Sequence, residues 1–186
     1  MAYEHPLAYP HLELEKDFSL MCEEHGYKVV DLSYHHQYDS STKGKLRGDF
    51  SPASLSVRLS PDILVQKENS STFYELKTGN SEDVIKVEAY QLMLNQIREN
   101  CFCTECIYVY RGVLTNGDII ACHAKDIVPS VLIIPNDEKN KYIEPILEKY
   151  FQCEKQKKRI GSMYSGDAYI EVRDLKKWEP IDTFIN

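Results

Sequence analysis

The stretch from Ser60 to Gly79, SPDILVQKENSSTFYELKTG, constrains the fold of this chain more than any other. It contains two short apolar runs separated by a polar turn, which predicts a β-hairpin. Side chains alternate between the two faces of a strand, so Glu75 and Lys77 share one face. Pairing of the strands across the turn would bring Asp62 close to Glu75. We therefore expect two carboxylates and an ammonium group to meet at one end of a small sheet.

Two carboxylates beside an ammonium group are suited to binding a divalent cation and a phosphate. Neighbouring carboxylates such as Asp62 and Glu75 repel each other unless a cation lies between them, and hard oxygen ligands suit Mg²⁺ or Mn²⁺. The ammonium group of Lys77 can orient a water molecule or stabilise negative charge that develops on a phosphate. The stretch therefore indicates a metal-dependent site for phosphodiester hydrolysis. A surface hairpin with ordinary charged side chains is the alternative.

The dipeptide Pro61-Asp62 and the tripeptide Glu75-Leu76-Lys77 resemble the signature of the PD-(D/E)xK nuclease superfamily. The resemblance implies an α/β fold with a restriction-endonuclease-like core, in which helices flank a mixed central sheet of about four or five strands. It also implies that Asp62, Glu75 and the backbone carbonyl of Leu76 bind the metal. Lys77 would then position the attacking water.

The segment before the hairpin extends this resemblance. Residues 11–25 carry apolar side chains at helical spacing, and Gly26 follows at the C-cap position, while residues 27–32 read as a strand. A Glu-rich helix, a Gly-aromatic pair and a Val-Val strand are similar to the opening of archaeal Holliday junction resolvases. The similarity implies that Glu15 is a further metal ligand and catalytic residue, with Glu13 as the second candidate. A solvated helix charge is the alternative for Glu15.

Residues 33–60 form a longer link than the resolvases have, so we expect an insertion here within one domain that spans residues 1–186. The insertion carries three basic residues, Lys43, Lys45 and Arg47, which we expect to contact nucleic-acid phosphates while nearby tyrosines contact bases. Its paired histidines also suggest a metal, although such pairs are usually incidental. A surface insertion without a role is the alternative.

A helix is predicted after the hairpin, over residues 82–99, with Ser81 as its N-cap. Gln91 lies on the largely apolar face of this helix. RecB-like members of the superfamily carry a glutamine on the corresponding helix, which implies that Gln91 orients the site. A buried hydrogen bond is the alternative. The tyrosine that often follows this glutamine in those proteins is replaced here by Asn95.

The apolar patterns and turn residues in the rest of the sequence predict further strands, one more helix and an irregular lead-in. The expected segments are a lead-in at 1–10, strands at 53–59, 107–110, 131–134 and 169–172, a hairpin turn at Asn116-Gly117 that returns through 118–123, and a helix at 139–157.

Composition narrows the class of protein. The chain has 186 residues, of which 42% are hydrophobic and 27% charged, and this balance is typical of a globular domain. Its net charge of −7 argues against a purely electrostatic nucleic-acid binder.

The basic run Lys155–Arg159 is either a solvated helix end or a phosphate contact. Because no apolar run could span a bilayer and the N-terminus lacks a signal peptide, we expect an intracellular protein, cytoplasmic or nucleoid-associated, with no membrane partner.

The six cysteines are expected to be free thiols. Three of them, Cys101, Cys103 and Cys106, are close enough in sequence to hold zinc or an iron–sulfur cluster with a distant fourth ligand. The spacing CxCxxC is not a standard zinc motif, and buried thiols or a redox-sensitive pair are the alternatives.

Three function classes follow. The first is a Mg²⁺- or Mn²⁺-dependent deoxyribonuclease with the catalytic residues Asp62, Glu75, Lys77, Glu15 and Gln91. It would act on branched or single-stranded DNA in replication, recombination or repair, with RNA as an open alternative. The resemblance to resolvases implies a homodimer. The second class is a non-catalytic nucleic-acid- or partner-binding module on a nuclease-like scaffold, against which the intact set of charged residues argues. The third is a cysteine-based metal or redox protein.

Overall fold

The computed structural model describes residues 11–49, 51–136, 143–153, 155–160 and 169–186 of the chain. The predicted lead-in at 1–10 lies outside the described residues. In chain order, the elements are α1 His11–Glu24, β1 Lys28–Asp31, α2 Tyr34–Gln37, α3 Ser40–Gly48, α4 Pro52–Arg58, β2 Ile63–Lys67, β3 Ser70–Gly79, β4 Ile85–Glu88, α5 Ala89–Phe102, β5 Cys106–Gly112, β6 Ile120–His123, β7 Val131–Asn136, α6 Glu144–Phe151, β8 Lys155–Ile160, β9 Tyr169–Val172 and β10 Glu179–Pro180.

Within the described residues, a mixed sheet of six strands forms the centre of the molecule, in the order β1-β2-β3-β5-β6-β10. Strands β3 and β5 are parallel neighbours, and the other neighbouring pairs are antiparallel. Helices flank this sheet, so the predicted α/β class with a mixed central sheet is confirmed. The sheet is wider than the four or five strands expected. A second sheet in the described part of the chain, with the order β4-β9-β7-β8, was not predicted.

Apolar side chains cover both faces of the central sheet. Helix α1 buries Leu14 and Phe18 against one face, where they join Leu76 of β3. Helix α5 buries Leu92 in a second cluster on the other side, where the second sheet also packs. Each such fully buried side chain contributes about 1.5–3 kcal/mol of transfer free energy. Because Glu75 neighbours Leu76 along β3, its side chain lies on the opposite face from α1.

The hairpin that the sequence predicted is present. In the pairing of β2 with β3, Ile63 lies opposite Tyr74 and Lys67 lies opposite Ser70. The predicted helix at 11–25 and the strands at 27–32, 107–110, 118–123, 131–134 and 169–172 also correspond to elements of the structure. At the predicted turn, Asn116 and Gly117 both have a positive φ, as such a turn requires.

The predicted strand at 53–59 is wrong, because these residues form helix α4. Ser51 caps this helix, since its side-chain oxygen accepts a hydrogen bond from the backbone N–H of Ser54. Pro52 follows at the start of the helix, where its missing N–H costs nothing. Helix-initiating residues therefore outweigh the alternation of apolar side chains in this segment.

The predicted helix at 82–99 begins later than expected, at Ala89. Residues 85–88 form strand β4, in which Ile85 and Val87 are buried and pair with β9. Ser81 does not cap a helix, since its hydroxyl accepts a hydrogen bond from the backbone N–H of Asp83. A distant partner strand thus decided the conformation of this segment.

Of the predicted helix at 139–157, residues 139–142 lie outside the described residues. The described part forms α6 over Glu144–Phe151. It ends at Gln152, whose left-handed conformation has a φ of 47°. The basic run Lys155–Arg159 lies in β8, parallel to β7, so its interpretation as a helix end is wrong.

A glycine pair at the ends of β3 and β5 yields a stability prediction. A Cβ atom on Gly112 would clash with the carbonyl oxygen of Gly79 and the hydroxyl of Tyr110. We expect Gly112→Ala to destabilise the fold by about 1–3 kcal/mol, as overpacking does. In contrast, a Cβ on Gly44 in α3 meets nothing within 4 Å, so Gly44→Ala should stabilise by about 0.5–1 kcal/mol. Urea unfolding of both variants measures the difference, and equal effects would contradict the packing at Gly112.

Candidate active site

Asp62, Glu75 and Lys77 meet at the end of the hairpin. Asp62 directly precedes β2, and its Oδ2 accepts a hydrogen bond of 2.8 Å from the backbone N–H of Leu76. Glu75 and Lys77 lie on the same face of β3, and the Lys77 Nζ is 2.7 Å from the Glu75 Oε1. The convergence expected from strand alternation is therefore present.

Gln91 reaches this cluster from helix α5. Its Nε2 donates a hydrogen bond of 2.8 Å to the Glu75 Oε2 and one of 3.3 Å to the backbone carbonyl of Ser60. Glu75 is only 4% exposed. The glutamine thus fixes the buried carboxylate of Glu75 relative to the segment that precedes Asp62.

Glu88, at the end of β4, is a site residue that sequence reasoning missed. Its Oε2 lies 2.5 Å from the Lys77 Nζ, so the ammonium group is held between Glu88 and Glu75. The missed signal was the alternation of Ile85 and Val87, which marks a strand and places Glu88 on the other face.

Asp62 also belongs to a second group of side chains, which could together bind a metal ion. Ligand atoms of His11, Glu15 and Asp62 lie within 4.8 Å of one another. Glu15 is held on both sides by imidazoles, with the His11 Nε2 at 3.1 Å and the His36 Nε2 at 3.6 Å. Two carboxylates and an imidazole are a donor set that fits a divalent cation such as Mn²⁺ or Mg²⁺.

The other predicted metal ligands are engaged differently in this structure. The carboxylate of Glu75 contacts Lys77 and Gln91. Leu76 contacts Asp62 through its N–H group. The structure therefore brings Glu15 and Asp62 together as potential ligands, and it adds His11, which the sequence did not indicate.

Burial and neighbouring charges shift the pKa values of the ionisable groups in this cluster. Burial raises the pKa of Asp62, although Lys77 opposes the shift. Burial also raises the pKa of Glu75 well above its ordinary value, and the neighbouring Asp62 adds to this effect. Burial alone would lower the pKa of Lys77, but Glu75 and Glu88 outweigh it, so this pKa lies well above its ordinary value. Lys77 is therefore an ammonium ion, and burial disfavours the charged forms of the half-buried Asp62 and the buried Glu75.

The cluster opens into a cleft of about 680 Å³. Helices α2–α4 of the insertion form one side of it. Arg47 lines this cleft, as do two basic residues that were not predicted, Arg58 and Lys86. In the described part of the chain, neither Lys43 nor Lys45 lines the cleft. The Lys43 ammonium group instead donates a hydrogen bond to the backbone carbonyl of His35. Of the three predicted phosphate contacts, Arg47 is the one that faces the site.

The cysteines do not form a comparable ligand group within the described residues. Cys106 is buried, and burial raises its pKa to about 12. Cys101 and Cys103 are exposed at the end of α5. This segment thus carries two exposed free thiols and one buried free thiol, which form no metal-ligand group in the described part of the chain.

Comparisons with known proteins provide little further information. No family model matches the sequence, and no curated protein matches it. Among solved structures, a Holliday junction resolvase from the hyperthermophile Archaeoglobus fulgidus is similar, with 12% sequence identity and a TM-score of 0.41. The similarity covers 62% of this chain and 78% of the resolvase. In the described part of the chain, no helix has the length and apolar character needed to cross a membrane.

The raised pKa of Asp62 leads to a prediction about stability. As pH rises above 3.8, the unfolded state ionises before the folded state, so the charge on Asp62 progressively destabilises the fold. Without divalent cations, Asp62→Asn should therefore be more stable than the wild type at pH 7, by about 1 kcal/mol, and equal to it at low pH. The melting temperature as a function of pH measures this difference.

The same variant tests cation binding. A saturating divalent cation should stabilise the wild type by about 2–3 kcal/mol and should stabilise Asp62→Asn much less. The exposed residue Asp182 provides the matched control, because Asp182→Asn should behave like the wild type in both experiments. An equal gain from Mn²⁺ in the wild type and in Asp62→Asn would contradict a cation site at Asp62.

Proposed function

We propose that this protein is a metal-dependent nuclease that hydrolyses DNA phosphodiester bonds. The observation that carries the proposal is the convergence of Asp62, Glu75 and Lys77 beside a metal-ligand group, at the base of a cleft with basic residues in its walls. Carboxylates that hold a divalent cation and a lysine directed at a phosphate are the groups that phosphodiester hydrolysis needs.

In this proposal His11, Glu15 and Asp62 hold a Mg²⁺ or Mn²⁺ ion, with Glu75 and the backbone carbonyl of Leu76 as further ligands. When bound, the cation would lower the pKa of water and withdraw negative charge from the phosphate. Burial raises the pKa of Asp62 and Glu75, and the charge of Asp62 raises that of Glu75 further. A bound cation would favour the charged forms of both carboxyls.

Lys77 has the role of positioning the attacking water and stabilising charge on the phosphate. Its ammonium group is charged and is held by Glu75 and Glu88 at 2.7 and 2.5 Å. Gln91 orients Glu75, and through it the lysine. Arg47, Arg58 and Lys86 would contact the phosphates of the bound strand. The homodimer expected from the resemblance stays a prediction.

A second candidate is a non-catalytic nucleic-acid-binding module on the same scaffold. This candidate is favoured by the contacts of the Lys77 ammonium group with the carboxylates of Glu75 and Glu88. An ion pair that only stabilises the fold would make the same contacts. The two candidates differ in turnover, because only the nuclease would cleave DNA in the presence of Mg²⁺ or Mn²⁺.

Cleavage assays test the proposal directly. We expect the wild type to cut at least one member of a panel of single-stranded, duplex, flap and four-way-junction DNA and RNA with Mg²⁺ or Mn²⁺, and to cut none with EDTA. Lys77→Ala should lose roughly 10²–10³-fold in rate, the usual effect of removing a group that stabilises the transition state. Single-turnover rates on labelled substrates measure this loss.

Helix α1 offers a matched pair of controls for this assay. Glu15→Ala should reduce cleavage strongly, whereas Glu13→Ala should leave it unchanged, because Glu13 is exposed and outside the ligand group. Circular dichroism should show that both variants are folded. Metal-dependent cleavage by Lys77→Ala at the wild-type rate would disprove the assignment, and binding without cleavage would favour the second candidate.

A further inference from the structure

Two aromatic rings of the insertion line the candidate active site. Tyr34 and His35, at the start of α2, have ring centroids 4.0 Å apart with an angle of 45° between the rings. Both residues line the cleft that contains Asp62 and Lys77. Tyr34 is half-buried and His35 is exposed, so the pair is anchored on one side and accessible on the other.

These rings have the properties of a surface for base stacking. Burial lowers the pKa of His35, and the nearby cations Arg47 and Lys43 lower it further. The imidazole is therefore neutral at physiological pH and can stack on a base without adding charge. Aromatic side chains bind unpaired bases in this way with little sequence preference, since every base has an exposed π-face.

The cations near the rings suit a phosphate backbone that continues from such a base. Arg47 and Arg58 approach the cleft from the insertion, and Lys86 approaches from β4. The cleft lining therefore carries cations from two separate parts of the chain. Cations of this kind neutralise the charge of a nucleic-acid backbone.

The need for a stacked base restricts the form of DNA that can bind. Glu75 is 4% exposed, and the Lys77 side chain is 14% exposed, so the groups that would act on the phosphate are recessed in the cleft. In a duplex the bases are already stacked on each other, and a base must leave that stack before an aromatic side chain can stack on it. An unpaired strand presents its bases without this cost.

We infer that the substrate of this site is an unpaired strand of DNA, which binds with a base stacked on the Tyr34–His35 pair and its backbone between Arg58 and Lys86. The inference rests on the proposed nuclease function and specifies its substrate class. In a branched or flapped molecule, the same site would act on the single-stranded arm.

Equilibrium binding tests the stacking surface separately from cleavage. Fluorescence anisotropy in Ca²⁺ would compare a labelled single strand with the duplex of the same sequence. We expect the wild type to bind the single strand more tightly. Tyr34→Ala should weaken this binding about tenfold, as the loss of a base–aromatic contact does, and Tyr34→Phe should retain it. His35→Ala, at a more exposed position than Tyr34, should also weaken binding.

The insertion and the C-terminal region contain matched controls. Tyr38 follows α2 and is 39% exposed, and it is not among the described residues of the cleft lining. Tyr38→Ala should therefore bind like the wild type. For the cations, Arg58→Ala should weaken single-strand binding and reduce its salt dependence, whereas Lys176→Ala, at an exposed position away from the lining in the described structure, should do neither.

Cleavage of the same substrates separates this inference from the proposed function. Preferential cutting of the single strand, reduced in Tyr34→Ala and His35→Ala, would support both. Equal cutting of duplex and single strand, or an unchanged rate in both variants, would overturn the substrate assignment and leave the nuclease intact. If no substrate is cut, the proposed function fails, and the binding data still show whether the aromatic pair holds an unpaired strand.

Discussion

The Lys77 ammonium group between Glu75 and Glu88 is the interaction on which the arrangement of the site depends. It joins β3 of the central sheet to β4 of the second sheet, so it fixes two layers relative to each other at the base of the cleft. Because the ammonium group contacts both carboxylates, removing the lysine would leave the buried Glu75 without its ion-pair partner, and breaking a buried ion pair in this way is strongly destabilising. The same contacts keep the lysine charged and oriented, and this orientation is what the proposed catalysis requires.

One face of β3 packs in the apolar core, and the other face carries the charged residues of the candidate active site. Leu76 packs under α1, and the neighbouring residues Glu75 and Lys77 point to the other face, where α5 and β4 enclose them. Apolar burial on one face thus stabilises an arrangement of charges on the other that would not be stable alone. Burial raises the pKa of both Asp62 and Glu75, and the Lys77 ammonium group opposes both shifts.

The insertion forms one side of the cleft that contains the candidate active site. Its three helices are short, and local contacts such as the Ser51 cap on α4 hold them in place. They bring Tyr34, Arg47 and Arg58 to the site from positions far from β3 in sequence. A chain without these helices would present the same carboxylates on a more open surface, so the insertion determines access to the site.

The hairpin, the helix before it and the meeting of Asp62, Glu75 and Lys77 could be predicted from the amino-acid sequence, because they depend on local turn chemistry and on strand alternation. The sequence also indicated Gln91 and Glu15, whose side chains reach the cluster from adjacent helices. It did not reveal β4, Glu88, His11 or the aromatic pair. Segment 85–88 became a strand because β9 pairs with it, and His11 and Tyr34 approach Asp62 only after α1 and the insertion have packed. Tertiary structure decided these features, because contacts between residues far apart in the chain outweigh local conformational preference.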